Sequence, residues 1–159
     1  MAEKIAFIFP GQGSQTVGMG KDICAHHEAA RFIFAEADEA LGKSLSTMCF
    51  EGPEGDLGLT VNTQPAIVAT SLALFKCFTE KGPQPSFVAG HSVGEYAALA
   101  AAGALSIQDV IGLVAKRGQL MDDACPAGTG GMAALIGMDR EKTLKMLDEM
   151  ELSADYALD

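Results

Sequence analysis

The chain has 159 residues, 48% of them hydrophobic, which is enough apolar material for one folded domain with a buried core and excludes a disordered tail. Its 11 basic and 21 acidic side chains give a formal net charge of -10, a balance that repels nucleic-acid phosphates and anionic lipid surfaces alike. We therefore expect no nucleic-acid partner and no membrane partner.

The cysteines, the histidines and the N-terminal segment indicate a cytoplasmic protein without a metal or another cofactor. Cys24, Cys49, Cys77 and Cys125 lie far apart, with no C-x-x-C pair, and the three histidines show no H-x-x-x-H spacing. We expect reduced, mostly buried thiols, as in a reducing compartment. The apolar run IAFIF is too short for a cleaved leader, and no segment is long and apolar enough to cross a bilayer.

Short apolar runs alternate with longer helical patterns along the chain. This alternation is typical of an α/β domain with a mainly parallel sheet. A turn-rich stretch at residues 51–62 interrupts the pattern. In chain order, we predict a strand at residues 4–9, a helix at 28–41, a helix from about 62 to 81, a strand at 86–90, an alanine-rich buried helix at 93–102, a helix at 106–125, a strand at 132–136 and a helix at 140–150.

Several helix ends carry their own signals. Gly42 is placed to end the first predicted helix. Asn62 or Thr63 is the predicted N-cap of the second, with Pro65 in its first turn. The sequence SIQD, which begins at Ser106, predicts a capping box at the start of the long helix that follows.

Ser92 lies between two glycines in GHSVG, after a predicted strand and before the alanine-rich helix. This G-x-S-x-G pattern in this context predicts a sharp turn that exposes the hydroxyl and requires glycine on both sides. The hydroxyl would lie at a helix N-terminus, where backbone N–H groups, that of Val93 in particular, stabilise an oxyanion. The alternative is a serine that only caps the helix; the flanking strand and helix favour a nucleophile.

A serine nucleophile requires a base, and the histidines do not supply a convincing one. His91 is adjacent to Ser92, and in strand-like geometry its side chain would point to the opposite side. His26 and His27 lie on a predicted exposed, acidic helix, and we interpret them as solvated surface residues. Either Ser92 is not a nucleophile, or its base lies outside these residues.

Arg117 lies on the apolar stripe of the helix predicted at residues 106–125. A buried cation is costly unless it meets an anion, so Arg117 should face a carboxylate of the protein or of a substrate. The helix alone favours a structural ion pair within the protein. At about 100° per residue, the stripe comprises Ile107, Val110, Ile111, Val114, Met121 and Cys125.

The loop GQGSQ after the first strand should lie at the carboxyl end of the sheet, at the same edge as Ser92 if both strands are parallel. The backbone N–H of Gln12 would then supply a second oxyanion donor. The alternative is a glycine loop with a packing role alone. Because no G-x-x-x-x-G-K-[ST] motif follows, we exclude a nucleotide site.

Taken together, the stretches FPGQGSQ, GHSVGEYAAL and KRGQLM, along with NTQPA, resemble the malonyl-CoA:acyl carrier protein transacylases of fatty-acid synthesis and the related acyltransferase domains of polyketide synthases. The resemblance runs along the whole chain in the right order. It implies transfer of a malonyl group from malonyl-CoA to the phosphopantetheine thiol of acyl carrier protein through a seryl ester.

The same resemblance implies roles for five residues. Ser92 would be the nucleophile, and the N–H groups of Gln12 and Val93 would form the oxyanion hole. Arg117 would hold the free carboxylate of malonate, and Gln64 would line the same site. A guanidinium binds a carboxylate through parallel hydrogen bonds and rejects an acetyl group, which would leave the cation unpaired.

The implied fold is an α/β-hydrolase-like core with an inserted ferredoxin-like subdomain. Residues 1–127 would form an incomplete core and residues 128–159 the start of the subdomain. Family members are longer, and their histidine base and a glutamine that orients it lie downstream of the position of Asp159. We therefore expect a truncated chain that exposes apolar faces.

Two alternatives remain at this stage. A serine hydrolase or thioesterase of the α/β-hydrolase class would share G-x-S-x-G but would require neither a buried Arg117 nor the loop at Gln12. A truncated, non-catalytic chain would only bind malonyl-CoA or carrier protein. Carrier proteins of this pathway are generally acidic, as this chain is, so docking would require a local basic patch.

Overall fold

The computed structural model describes residues 4–126, 129 and 135–150. The chain divides into two compact units, Met1–Ala127 and Gly128–Asp159. The first unit is an α/β structure with a small parallel sheet and many helices. The described elements are β1 (Ala6–Phe9), α1 (Lys21–His26), α2 (Glu28–Leu41), α3 (Leu45–Glu51), α4 (Glu54–Leu57), α5 (Thr60–Thr79), β2 (Phe87–Gly90), α6 (Gly94–Ala101), α7 (Ile107–Ala124) and, in the second unit, α8 (Arg140–Glu149).

Local sequence signals set several helix ends. Helix α2 ends at Gly42, whose φ of 62° is a left-handed conformation that glycine adopts at little cost. At the start of α7 the Ser106 hydroxyl accepts the Asp109 N–H at 3.1 Å. The Asp139 carboxylate accepts the Lys142 N–H at 2.8 Å at the start of α8. The predictions for α2, α7 and α8 are therefore confirmed.

Strands β1 and β2 pair in parallel, with Phe9 beside Gly90. On one face of this sheet the rings of Phe7 and Phe9 each meet Phe75 of α5 edge to face, with 5.9 Å between ring centroids. The parallel pairing brings the carboxyl ends of both strands, and the loops that follow them, to the same edge of the sheet.

The opposite face of the sheet is exposed. Because side chains alternate along a strand, the residues between the buried ones point away from α5. The side chain of Ile8 is 77% exposed and that of Phe87 is 58% exposed. The exposed face comprises Ala6, Ile8, Phe87 and Ala89.

Helix α5 is the centre of the first unit, where it packs against α2 and α7. Its residues from Asn62 to Ala69 are all buried. Helix α7 approaches the N-terminal end of α5 so closely that a Cβ on Gly118 would lie 2.8 Å from the Val61 Cα. Only glycine fits there without a backbone shift, and this contact fixes α7, including Arg117, against α5.

Helix α5 begins earlier than its predicted cap. Asn62 and Thr63 are not caps but buried residues inside the helix. Their side chains satisfy carbonyl groups of α4 instead: Asn62 Nδ2 donates to the Asp56 carbonyl at 2.9 Å, and Thr63 Oγ1 donates to the Leu57 carbonyl at 2.5 Å. Pro65 consequently lies inside the helix rather than in its first turn.

The short helices α3 and α4 lie in segments that the sequence analysis did not assign to helices, whereas α1 contains His26, which was expected on a helix. The expectation of turns at residues 51–62 is partly wrong, because this segment contains α4 and the start of α5. Helices this short offer too few residues for a helical period to show. The strand predicted at residues 132–136 falls largely outside the described residues.

Helix α6 is apolar but only partly buried, which corrects the expectation that it is covered on all sides. Gly94, Ala97 and Ala98 are buried, whereas the side chain of Leu99 is 46% exposed. Neither α6 nor any other helix in the described part of the chain is long and apolar enough to cross a membrane.

Candidate active site

Ser92 occupies a sharp turn between β2 and α6. Its φ of 51° is left-handed, a conformation that a serine adopts only under constraint. The glycines on either side explain the constraint. A Cβ on Gly90 would lie 2.0 Å from the Gly94 carbonyl carbon and 2.2 Å from the Glu95 nitrogen. The helix therefore starts directly against the end of the strand, and the serine between them is exposed.

The end of β1 closes on the same turn. A Cβ on Gly94 would lie 2.4 Å from the Phe9 carbonyl oxygen, and one on Gly11 would lie 2.5 Å from His91 Nδ1. The His91 N–H donates to the Phe9 carbonyl at 3.0 Å. The glycine-rich loop after β1 thus packs against the residue that precedes Ser92.

Several backbone N–H groups beside this turn have no acceptor within the described residues, among them those of Gln12, Ser92 and Val93. Others are used, since Gly13 donates to Gln15 Oε1 at 2.8 Å and Gly94 donates to the His91 carbonyl at 2.9 Å. The Val93 side chain is fully buried and anchors the start of α6. Unpartnered N–H groups at a helix start can donate to a developing oxyanion.

Arg117 reaches Ser92 from α7. Its Nη2 donates to Ser92 Oγ at 3.1 Å. Within the described residues no carboxylate lies within ion-pair distance of Arg117. The structural ion pair that the helix pattern favoured is therefore wrong for the described residues, in which the guanidinium donates to the serine instead.

The apolar stripe of α7 is confirmed in its first half and wrong in its second. Val110, Ile111 and Val114 are fully buried. Met121 is half-buried where it contacts Gln64 of α5, and Cys125, just after the end of the helix, is exposed.

Gln64 is fully buried inside α5, next to α7. Its Nε2 donates to Met121 Sδ at 3.1 Å, while its Oε1 has no partner within the described part of the chain. Met121 lies one helical turn after Arg117, so Gln64 and the guanidinium belong to the same stretch of the α5–α7 interface. The sequence analysis did not single out Met121 as a neighbour of Gln64; a one-turn spacing from Arg117 was the only available signal.

The histidines supply no base to Ser92 in the described residues. His26, His27 and His91 are all exposed, as expected for the first two. None of them hydrogen-bonds to Ser92, whose Oγ accepts from Arg117. In the described residues, no cluster of side chains is suited to bind a metal ion.

Three of the cysteines are poor nucleophiles. All four lie within the described residues and none forms a disulfide. Burial, with a contribution from the Asp38 carboxylate, raises the pKa of the Cys49 thiol to about 12. Burial also raises the pKa of Cys24 and of Cys77. Because the thiolate is the reactive form, a raised pKa makes these three thiols less reactive at neutral pH.

Comparison with known proteins extends this description. A family model described as an acyl transferase domain matches residues 6–155. The malonyl CoA-acyl carrier protein transacylase of Bacillus subtilis (strain 168) is 52% identical over 147 residues, which cover 92% of this chain and 46% of that relative. The chain thus spans about half the length of the curated relatives it matches.

Solved structures give the same picture. An acyl carrier protein S-malonyltransferase from Vibrio cholerae matches with a TM-score of 0.82 and 44% identity, over 92% of this chain and 48% of that chain. A malonyl-transacylase in complex with a type II polyketide synthase acyl carrier protein matches with a TM-score of 0.84 and 43% identity, over 92% and 48% of the two chains. Since the family model covers nearly all of its residues, this chain belongs to the acyl transferase domain family.

Proposed function

We propose that this chain carries the nucleophile and the carboxylate-binding side chain of a malonyl-CoA:acyl carrier protein S-malonyltransferase of fatty-acid biosynthesis. The observation that carries the proposal is the 3.1 Å contact between Arg117 Nη2 and Ser92 Oγ. A guanidinium that meets a strained, exposed serine and no carboxylate of the described residues suits an acyl group that itself ends in a carboxylate. The malonyl transfer named for the relatives supports this choice of substrate.

In the first half-reaction, Ser92 Oγ attacks the thioester carbonyl carbon of malonyl-CoA, and the hydroxyl proton passes to a base. The carbonyl electron pair moves to oxygen, and the N–H groups of Gln12 and Val93 donate to this oxyanion. When the intermediate collapses, the carbon–sulfur bond breaks and the CoA sulfur takes the proton from the protonated base. Ser92 then carries malonate as an ester.

In the second half-reaction, the phosphopantetheine thiol of acyl carrier protein gives its proton to the base and attacks the ester carbonyl. The same N–H groups hold the second oxyanion, the bond to Oγ breaks, and Ser92 regains its proton. The relative solved in complex with an acyl carrier protein supports this acceptor. No step requires a cofactor.

Arg117 selects the acyl group. A single methylene separates the ester carbonyl of malonate from its free carboxylate, so a guanidinium in contact with Oγ is within reach of that carboxylate. An acetyl group would leave the guanidinium without an anion, which is the source of the discrimination. We place Gln64 in the wall of the same site, on the α5 side of Arg117.

The base comes from a part of the protein that this chain does not span. The family resemblance implies a histidine there, and none of the histidines of this chain hydrogen-bonds to Ser92 in the described residues. We also infer that residues 1–127 form an incomplete α/β-hydrolase-like core and that residues 128–159 begin a ferredoxin-like subdomain. The parallel strands with Ser92 in the turn after β2 support the first assignment. The reduced cysteines support a cytoplasmic location.

Intact-mass measurement after incubation with malonyl-CoA tests the nucleophile. We expect an added malonyl group on the chain once it is paired with a polypeptide that supplies the base, no addition on Ser92→Ala, and normal addition on Ser86→Ala, a matched exposed serine just before β2. An adduct that persists on Ser92→Ala would refute the assignment. Thioester hydrolysis without transfer to carrier protein would identify a hydrolase, and no adduct on the intact chain would identify a non-catalytic fragment.

The Arg117→Ala variant tests the selectivity. Loss of a charged hydrogen bond of about 1.5–3 kcal/mol should slow malonylation roughly 10- to 100-fold, while acetylation from acetyl-CoA stays equal or rises. Lys116→Ala removes the neighbouring cation, which is exposed, and should change neither rate. Equal losses with both acyl groups would contradict the role of Arg117 as a carboxylate ligand.

A further inference from the structure

Three residues of α7, just beyond Arg117, face the first turn of α5. Gly118, Met121 and Asp122 are three and four residues apart along α7, so they lie on one face of the helix. The first makes the close backbone contact with α5, and the second accepts a hydrogen bond from the Gln64 amide at 3.1 Å. The third brings a carboxylate to the same interface.

The Asp122 carboxylate caps α5 from outside that helix. Helix α5 begins at Thr60 after Leu59, whose side chain gives no cap hydrogen bond. The first N–H groups of a helix have no carbonyl partner within it and are stabilised by a nearby anion. Asp122 is half-buried, and its Oδ2 accepts the N–H of Val61 at 3.3 Å. A side chain of α7 therefore does for α5 what an N-cap residue normally does within one helix.

This cap limits how α7 can move beside the reactive serine. Arg117, which donates to Ser92 Oγ at 3.1 Å, directly precedes Gly118. A single contact at Gly118 would leave α7 free to pivot about that point, and the contact of Asp122 one turn later removes this freedom. A hydrogen bond to a carboxylate is also stronger than one to the thioether of Met121. The orientation of the guanidinium therefore depends on the cap.

We propose that Asp122 is a positioning residue for acyl transfer, which caps α5 and thereby holds the Arg117 guanidinium in place for the free carboxylate of the acyl group. The inference rests on the proposed malonyl transfer and adds a residue that acts through Arg117. Within the described residues Asp122 forms no ion pair with Arg117, so its negative charge serves α5 and leaves the guanidinium to the substrate. A displacement of about 1 Å in a group that positions substrate can cost about 100-fold in rate.

Asp123 offers a matched control. It is the next residue of α7 and carries the same side chain, but it is exposed. Its Oδ1 accepts from Gln119 Nε2 of the same helix at 2.7 Å. Removal of Asp123 therefore takes away the same charge without removing the contact between Asp122 and α5.

The test measures malonylation and acetylation of Ser92 by intact mass, on the chain paired with a polypeptide that supplies the base. Asp122→Ala should slow malonylation about 3- to 10-fold, as expected for a lost helix cap, and should spare acetylation, which uses no carboxylate contact. Asp122→Asn keeps an oxygen acceptor that caps helices equally well and should restore the ratio of the two rates. Asp123→Ala should change neither rate. Equal losses with both acyl groups, or malonylation of Asp122→Ala at the parent rate, would overturn the proposal.

A second measurement does not depend on acylation. The Nε–H of Arg117 gives an NMR signal that is identified by its loss in Arg117→Lys. This signal should move in Asp122→Ala and keep its position in Asp122→Asn and in Asp123→Ala. An unchanged signal in Asp122→Ala would overturn the proposal whether or not the parent chain accepts a malonyl group. A parent chain that is not malonylated, with a signal that does move, would refute the proposed transfer but keep the placement of Arg117 by Asp122.

Discussion

The carboxyl edge of the sheet and its exposed face differ in how tightly other residues of this chain pack against them. At the edge, β2 and α6 meet with so little space that a Cβ on Gly90 would lie 2.0 Å from a backbone atom. On the exposed face, by contrast, Ile8 is 77% exposed. The turn that presents Ser92 is therefore specified by contacts within this chain, while the covering of the sheet is not. The geometry of a reactive turn requires only the strand ends and the helices that meet there.

Gly90→Ala should lower the stability most, because it adds a methyl group to the tightly packed carboxyl edge of the sheet. The new methyl group would overlap the backbone of Gly94 and Glu95, which cannot move without displacing α6. We expect a loss of more than about 5 kcal/mol in the free energy of unfolding, measured by urea denaturation. Gly55→Ala, where nothing lies within 4 Å of the new Cβ, should be close to neutral. Similar midpoints for the two variants would show that the close contact does not constrain the turn.

Alanine substitutions at two neighbouring residues of β1 compare how much each face of the sheet contributes to stability. Phe9 is 5% exposed and Ile8 is 77% exposed. Phe9→Ala should cost about 3–5 kcal/mol, as for other buried phenylalanines, and Ile8→Ala should stay within about 0.5 kcal/mol of the parent chain. Thermal unfolding followed by circular dichroism gives both values. A large loss for Ile8→Ala would mean that the exposed face is already covered.

Two glycines of α7 extend the comparison to the helix that carries Arg117. Gly118→Ala would press a methyl group against the Val61 Cα at 2.8 Å and should cost about 1–3 kcal/mol. Gly112→Ala meets nothing within 4 Å and should stabilise the helix by about 0.5–1 kcal/mol. Chemical denaturation distinguishes these opposite signs. Two losses of the same size would show that helix propensity, rather than the contact with α5, decides the outcome.

The smallest expected effect on stability is the pH dependence that comes from Cys49, which is fully buried. Its pKa is raised from 9.0 to about 12, so the unfolded chain loses the thiol proton first as the pH rises. This contribution to stability is complete below pH 9 and declines by about 1 kcal/mol by pH 10. Cys49→Ala should therefore lose less stability between pH 8 and pH 10 than the parent chain in urea titrations. Val68→Ala also shortens a buried side chain but removes no titratable group, so it should keep the slope of the parent.

The sequence predicted those parts of the fold that depend on neighbouring residues. The end of α2 at Gly42 and the start of α7 at Ser106 follow from local chemistry, and both were found. The strand and helix around Ser92 are also where the glycine pattern placed them. Asn62 and Thr63 were misassigned because their partners lie in α4, a helix too short to recognise.

The candidate site was harder to derive, since its contacts join distant segments. The helical period placed Arg117 on a buried stripe, but it could not show that the partner is Ser92, in the turn between β2 and α6. The pairing of Gln64 with Met121 likewise depends on how α5 packs against α7, which the Gly118 contact sets. Single-sequence patterns describe each helix by itself and not the distance between two helices. The roles of these residues in catalysis stay predictions.

The left-handed backbone of Ser92, with a φ of 51°, also bears on the evolution of this gene. A serine held there is less stable than a glycine by about 1–2 kcal/mol, because glycine has no Cβ to oppose the conformation. In a gene copy that no longer needs the proposed acyl transfer, replacement by glycine would raise stability at no cost to function. The proposed role of Ser92 therefore predicts that serine persists at this position wherever its hydroxyl is in use and that glycine replaces it where that use is lost.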